Sequence, residues 1–432
     1  MKPLLFILAV IGLTTCKPPS EKFYMPGEWE PHEAVWLGWE DDQIQYYPVV
    51  VDIIKTLLPN VQVKIAVDND SLLREAKKYL SRNGVDSNQL KFYLMPGDRY
   101  WIRDHGAAYL VNEKGELGVA DFKWNRYGYG EWLKVKYDNN ADSVEKYLKT
   151  RMNPKTGSVD SLMAVSENAR IEKTSVFHEG GAIEVNGKGT LILCEATVFN
   201  RNPGIPKDTL EKEFKRVLGV TNIIWMKKGL ADDPHHFFRR IAGNYVGGGT
   251  GGHTDEFVRF VNPTTILLAW IDEKEKDLNL INRMNYERMS ENLRILEQSR
   301  DQNGKSFRII KVPLPDLIAK KIVARLDVDY TDTSLDVTVR SFSRSESPKV
   351  GDTILRVPAS SYLNYLVTNG LVILPTYISE GSSKEKEEMV KKIFQEQFPD
   401  RKIVFIDAMP LNWNGGGVHC STQQQPARLK TL

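Results

Sequence analysis

Cysteine is scarce in this sequence: Cys16, Cys194 and Cys420 are the only three in 432 residues. Three thiols cannot staple a chain of this length, which excludes a disulfide framework and leaves each cysteine needing its own explanation. An excess of one charge is also missing. The formal net charge is +2 and no Lys/Arg-rich cluster stands out, so there is no electrostatic case for a nucleic-acid partner. No low-complexity linker divides the chain beyond Tyr24. What is present is an ordinary globular composition, 41% hydrophobic and 26% charged, with enough apolar surface for a real core.

The first cysteine ends an export-like segment. Lys2 precedes the apolar run Leu4 to Leu13, followed by Thr14-Thr15-Cys16 and the polar Lys17-Pro18-Pro19. The run is too short to cross a bilayer as a helix and fits the apolar region of a signal peptide. Leu13-Thr14-Thr15-Cys16 also resembles a bacterial lipobox, although Thr15 stands where a Gly or Ala is usual. The expectation is an export signal over 1–16, with Cys16 as the lipidation candidate and a tether over 17–24. The protein would then reside in a bacterial cell envelope, as a lipoprotein or in periplasmic or secreted form.

Length alone would allow two or three domains. β-rich runs recur at Val61–Val67, Thr190–Leu193, Thr265–Trp270, Leu371–Leu374 and Ile403–Ile406. Amphipathic helical stretches alternate with them at Asp70–Leu80, Lys207–Leu218, Asn279–Ser299 and Ser383–Phe398, which predicts an α/β or α+β architecture. The polar stretches 139–173 and 272–350 read as decorations.

Four segments look unlike scaffold: Trp101-Ile102-Arg103-Asp104, His178-Glu179-Gly180-Gly181, Gly251-Gly252-His253-Thr254-Asp255, and Asn414-Gly415-Gly416-Gly417-Val418-His419-Cys420. Each sets acidic, histidine or cysteine chemistry beside glycine, which permits tight turns and close approach to a ligand. In this order, the four segments resemble the agmatine deiminase and Porphyromonas-type peptidylarginine deiminase family. The opening Met25-Pro26-Gly27-Glu28-Trp29-Glu30-Pro31-His32-Glu33 adds to the resemblance, as do Asn200-Arg201-Asn202-Pro203, Ala359 to Asn364 and Thr422 to Pro426. It covers roughly residues 24 to 427. The fold it implies is the pentein, a five-bladed pseudosymmetric α/β propeller with a central active site. The catalytic body would then be a single domain over 25–432.

A guanidinium is planar, cationic and resonance-stabilised, so its carbon is a poor electrophile. Hydrolysis calls for carboxylates that hold the cation, a strong nucleophile, and an acid for departing ammonia. The resemblance makes Asp104 and Asp255 the gripping carboxylates, through paired charge-assisted hydrogen bonds. Cys420 becomes the nucleophile, passing through an S-alkylthiouronium, and His253 the acid and base. A bare thiol has a pKa of about 8.5, so the cationic substrate and a nearby His253 are expected to favour the thiolate. Glu179 would be a further ligand or an orienting group. No metal or organic cofactor is implied.

Plainer readings stand beside these. Cys194 reads as a core residue, and His235-His236, beside Asp232-Asp233, as a loop or surface pair. His253 could be a zinc ligand, but no second ligand lies at metal-site spacing. His419, next to the nucleophile, reads as pointing away from the chemistry. Trp101 is balanced between core and substrate contact. The substrate, a small-molecule or peptide guanidine, is less defined. Asn125-Arg126 resembles the branch in which arginines take a peptide's terminal carboxylate, although Gly128 stands where a second arginine would be expected. Trp124 to Gly128 is equally close to the agmatine branch. Overall similarity leads to agmatine, with peptidylarginine or free arginine as the alternative. An amidinotransferase and a guanidine-binding lipoprotein without turnover are rivals of other classes, and the oligomeric state is left open.

Overall fold

The computed structural model describes residues 21–40, 44–137, 139–151, 155–235, 239–327, 335, 337–342 and 347–428. The export segment, Cys16, the first half of the tether (17–20) and His236 lie outside the described residues.

Four units along the chain repeat one strand pattern. In each, the first strand is antiparallel to the second, and the second is parallel to the third. The units are Ala108–Val111, Leu117–Lys123 and Arg170–Phe177; Glu184–Val185, Thr190–Cys194 and Asn222–Met226; Val258–Asn262, Thr265–Trp270 and Arg308–Pro313; and Leu366–Thr368, Leu371–Thr376 and Lys402–Asp407. A fifth unit is assembled from both ends of the chain. There Thr422–Pro426 runs antiparallel to His32–Trp39, which is parallel to Gln62–Val67 and, beyond it, Leu90–Leu94. These are the five blades of the pentein.

The parallel step dictates the helices, because parallel neighbours need a long crossover. Tyr47–Leu57, Lys207–Leu218, Leu280–Gln298 and Lys384–Gln397 each bridge such a pair. Lys207–Leu218 turns Leu210, Phe214, Val217 and Leu218 inward at helical spacing and stops at Gly219, whose φ of 67° suits a residue without Cβ. Asn279 and Ser383 cap the starts of the last two helices through their side-chain oxygens.

Cores form between neighbouring blades. Trp36 and Ala66 of the end-assembled blade pack with Tyr109 and Val119 of the next. Ala108 and Leu110 pack with Leu191 and Leu193, and Val35 and Ile65 close the ring against Leu366 and Ile373. Ring closure is reinforced by polar contacts. Gln425 Oε1 accepts from Trp36 Nε1 at 3.0 Å and from Lys64 Nζ at 2.9 Å, all buried.

The strand at Thr265–Trp270 and the helix at Lys207–Leu218 have the bounds expected from their patterns, and the other strands and helices predicted differ by a few residues at their ends. The decorations are smaller than expected. Arg170–Phe177, Leu280–Gln298 and Arg308–Pro313 are regular blade elements that carry many exposed polar residues beside a few buried ones such as Asn285 and Asn292. The true addition is a five-stranded sheet in the order Arg240–Ala242, Tyr245–Val246, Thr353–Arg356, Lys320–Arg325 and Val337–Thr338. It leans on the segment ahead of the nucleophile, where Arg356 Nη2 donates to the Trp413 carbonyl at 2.5 Å. Among the described residues, no helix is long and apolar enough to cross a membrane.

Candidate active site

The first strand of every blade is preceded by a short turn, and these turns deliver the reactive side chains. Asp104 lies in the helical turn Ile102–His105, ahead of Ala108–Val111. Glu179 precedes the turn Gly180–Ala182, and His253 precedes Thr254–Glu256, which carries Asp255. Asn364 lies two residues before Leu366–Thr368, and Cys420 two residues before Thr422–Pro426. Five blades thus contribute to one centre, and residues more than 300 apart in sequence become neighbours.

Gly181 marks where the centre converges. A Cβ added there would lie 2.6 Å from His253 Nδ1, 2.8 Å from Asp104 Oδ1 and 2.9 Å from Asp255 Oδ2. The second glycine of the Glu-Gly-Gly segment is therefore required by close approach. Gly416 does the same beside the nucleophile, since its missing Cβ would meet the Trp101 ring at 2.6 Å and Cys420 Cβ at 3.0 Å. That contact brings half-buried Trp101 to the nucleophile, in an aromatic group where it meets Tyr46 at a tilt and Tyr100 edge-on.

Cys420, His253, Asp255 and Glu179 are each no more than 1% exposed, and Asp104 is 5% exposed, so the centre is sealed from bulk water. Charge–charge interactions in such a place are strong. Around Cys420 Sγ lie Asn364 Nδ2 at 3.0 Å, Asp255 Oδ2 at 3.6 Å and Glu256 Oε1 at 4.0 Å. Burial, with the acids Asp255, Glu256 and Asp104, pushes the thiol well above its usual range. His253 was expected to favour the thiolate, but its ring is turned to acids: Nε2 is 3.2 Å from Glu179 Oε2 and Nδ1 is 3.5 Å from Asp104 Oδ1. Burial works against its charge, yet Asp104 and Glu179 raise it to about 9, so the imidazole is protonated at neutral pH.

Glu179 acts on His253. Arg201 Nε donates to both of its oxygens, at 2.9 and 3.1 Å. Burial opposes the charge of Glu179, but Arg201 and His253 hold it well below the usual carboxylate range. Of the two roles expected for Glu179, the geometry fits the orienting one. Asp104 Oδ1 accepts from the Gly181 amide at 3.1 Å and Oδ2 from the Tyr127 hydroxyl at 2.7 Å. Burial raises Asp104 above its ordinary value, with His253 opposing. Asp255 is lowered, because His419 and His253 outweigh the opposing effect of burial, and its Oδ1 is a buried acceptor without a partner.

Arg126 does not join the centre. It lies over the Tyr129 ring at 5.0 Å, in a loop where Arg126, Tyr127 and Gly128 have φ of 52°, 55° and 73°. This left-handed run, costly for residues with side chains, aims Tyr127 at Asp104. A Cβ at Gly128 would meet Asn200 Oδ1 at 2.5 Å, and its φ of 73° is one side chains rarely adopt, so a second arginine there would be strained. Cys194 is fully buried, as expected of a core residue. His235 is a half-buried loop residue bonded through Nε2 to the Tyr127 carbonyl at 2.7 Å. Contrary to expectation, His419 turns toward the site.

Tyr127, Arg201, Glu256 and Asn364 had been assigned no role from sequence. Asn364 and Arg201 stood inside quoted motifs, which is the signal that could have found them. Asp255, Glu256 and Cys420 hold donor atoms within 4.8 Å of one another, but Asn364 and His419 already engage these atoms, and we assign them to substrate rather than to a metal.

Fold and site together define a guanidine-modifying pentein hydrolase that acts on C–N bonds of amidines. The chain belongs to the Porphyromonas-type peptidyl-arginine deiminase family, whose model matches residues 24–426. It is similar to the agmatine deiminase of Pseudomonas aeruginosa (strain LESB58), with 27% identity over 420 residues, covering 96% of this chain and 99% of the relative. The agmatine deiminase of Pseudomonas syringae pv. tomato is 28% identical over 422 residues, with 96% and 98% coverage. In structure, the chain resembles agmatine deiminase of Enterococcus faecalis, with a TM-score of 0.71, 22% identity and coverage of 95% and 97%.

Proposed function

We propose that this protein hydrolyses agmatine to N-carbamoylputrescine and ammonia. One observation carries the chemistry: Asp104, Asp255 and His253 converge on the space left by Gly181, with Cys420 Sγ 3.6 Å from Asp255. Two acids bracketing a planar cation fix its central carbon for attack, so positioning supplies much of the rate. In the free protein Cys420 is a thiol. The guanidinium adds a positive charge to an acidic, sealed pocket and favours thiolate formation.

The thiolate forms a C–S bond to the guanidinium carbon, giving a tetrahedral adduct. His253, protonated at rest, gives its proton to the departing nitrogen. The C–N bond breaks, ammonia leaves, and an S-alkylthiouronium remains. Neutral His253 then takes a proton from water as water adds to the same carbon. The C–S bond breaks and the adduct's hydroxyl proton replaces the one the thiol gave up to solvent when substrate bound, returning the Cys420 thiol, protonated His253 and the ureido product.

Agmatine rather than a carboxylate-bearing arginine is supported by the full-length similarity to agmatine deiminases. Arg126 folded on Tyr129, and the strain a second arginine would carry at Gly128, also argue against a carboxylate clamp. The test is to incubate the purified protein with agmatine, arginine and C-terminal arginine peptides, following ammonium and ureido product. Agmatine should be preferred, Cys420→Ser should abolish both products, and Arg126→Ala should leave agmatine turnover within about twofold, as for a surface substitution. Faster citrulline formation from arginine peptides, lost in Arg126→Ala, would overturn the substrate assignment.

We also propose export and lipid attachment at Cys16, supported by the run Leu4–Leu13 and the lipobox-like Leu13 to Cys16. Palmitate labelling of the wild type and of Cys16→Ala tests it. Absence of label from both would leave only a cleaved signal, and an intact N-terminal segment on the mature protein would refute export.

A further inference from the structure

His419 sits between buried Asp255 and partly buried Glu28. Its Nδ1 is 2.7 Å from Asp255 Oδ2, and its Nε2 is 2.9 Å from Glu28 Oε2. A neutral imidazole carries one N–H and can donate to only one of them. The other contact would then press a nitrogen lone pair against a carboxylate oxygen. Two donated bonds at these lengths require one more proton, on the ring or on an acid.

The surroundings place that proton on the ring. Glu28 Oε2 also accepts from Arg259 Nη2 at 2.7 Å, and Arg259 Nε lies 2.9 Å from Glu184 Oε2. Burial opposes the charge on Glu28, and the Arg259 guanidinium against it favours the ionised form, as His253 does for Asp255. On the other side, Arg103 Nε donates to the His419 carbonyl at 3.3 Å, and Asn364 Oδ1 accepts from the His419 amide at 3.0 Å. With both acids ionised, His419 must donate through both nitrogens.

We infer that His419 is an imidazolium clamp, a positioning residue that fixes Asp255 for the substrate guanidinium while Glu28 and Arg259 fix His419. It rests on reading the site as one that binds a guanidinium. The clamp takes Asp255 Oδ2 and leaves Oδ1, the buried acceptor without a partner, for a substrate N–H. It also accounts for Glu28 of the opening motif, which the hydrolysis itself leaves unused.

The test has two arms. Nitrogen-15 NMR of histidine-labelled wild-type protein near neutral pH, assigned with His419→Asn, should show both ring nitrogens of His419 protonated. The neutral carboxamide of Glu28→Gln should return the ring to a single N–H. In the second arm, steady-state kinetics with agmatine compares His419→Ala with His419→Asn, whose amide nitrogen reaches the position of Nδ1. His419→Ala should raise KM about thirtyfold or more with a smaller effect on kcat, as expected for loss of one charge-assisted hydrogen bond. His419→Asn should recover most of that loss, and thermal melting of each variant controls for folding. An unprotonated ring nitrogen in the wild type, or equal loss of kcat with unchanged KM in both variants, would overturn the clamp. If wild-type protein turns over no guanidine, the functional reading fails, while the NMR arm still decides the state of His419.

Discussion

Cys420 rests in the opposite protonation state to the one that attacks, whereas His253 already carries the proton it gives to the leaving nitrogen. Cys420 rests as a thiol and His253 as a cation. A neutral alkylating agent such as iodoacetamide should therefore modify Cys420 slowly at neutral pH and faster as pH rises. A cationic amidine-bearing alkylator should react faster than iodoacetamide at neutral pH, and agmatine should protect. Mass spectrometry of the Cys420 peptide checks this, and fast neutral alkylation at pH 7 would mean that the resting thiol is ionised. His253 also links folding to pH. Its charge is favoured to about 9 in the folded protein against an ordinary 6.5. That contribution is fully present below about 6.5 and is lost as pH rises through about 9. The gap in melting temperature between wild type and His253→Asn should shrink across that window. Cys420, His253, Asp104 and Asp255 were nominated from sequence by ordered segments that resemble one family, and the blades bring these four side chains into one centre. The partners were less legible. Arg201 gains its role from reaching Glu179, and Tyr127 from three left-handed residues in a row. Distances of that kind arise only once blades meet.

At the scale of the element, the short turns ahead of each first strand are the working parts, and their glycines are space rather than flexibility. Gly181→Ala would place a methyl group within 2.9 Å of His253, Asp104 and Asp255 together. We expect it to fold, with thermal stability near wild type, and to lose at least about a hundredfold in kcat/KM, as misplacement near 1 Å can cost. Near-normal kinetics would mean that the placement of these three side chains does not limit the rate. Elements buried on one face, such as Lys207–Leu218, announced themselves through periodicity. The stretch 272–350 misled because Leu280–Gln298 and Arg308–Pro313 carry many polar residues on their outer faces. Only long-range pairing of Arg308–Pro313 with Thr265–Trp270 identifies them as blade.

At the scale of the whole molecule, the ring is closed by a single antiparallel pairing between Thr422–Pro426 and His32–Trp39. Removing residues 422–428 should therefore unfold more than a tail. It strips the end-assembled blade of a strand and removes Gln425 from Trp36 Nε1, which loses its acceptor, and from Lys64, which keeps only Glu167. Circular dichroism and thermal melting should show loss of a cooperative transition, and a native-like melt would show that four complete blades stand alone. The two strands already lie side by side, with the Ala427 amide donating to the Pro31 carbonyl at 2.8 Å. Joining the ends by a short linker and reopening the chain at the exposed Gly304 turn should consequently preserve the fold.

Cys420 sits two residues ahead of the strand that closes the ring, so along the chain the nucleophile follows every other member of the centre, from Asp104 to Asn364. During synthesis those groups can be made, and their blades begun, while no thiol is in place to react. A chain cut ahead of Cys420 loses the nucleophile and the closing strand together, so it can consume nothing.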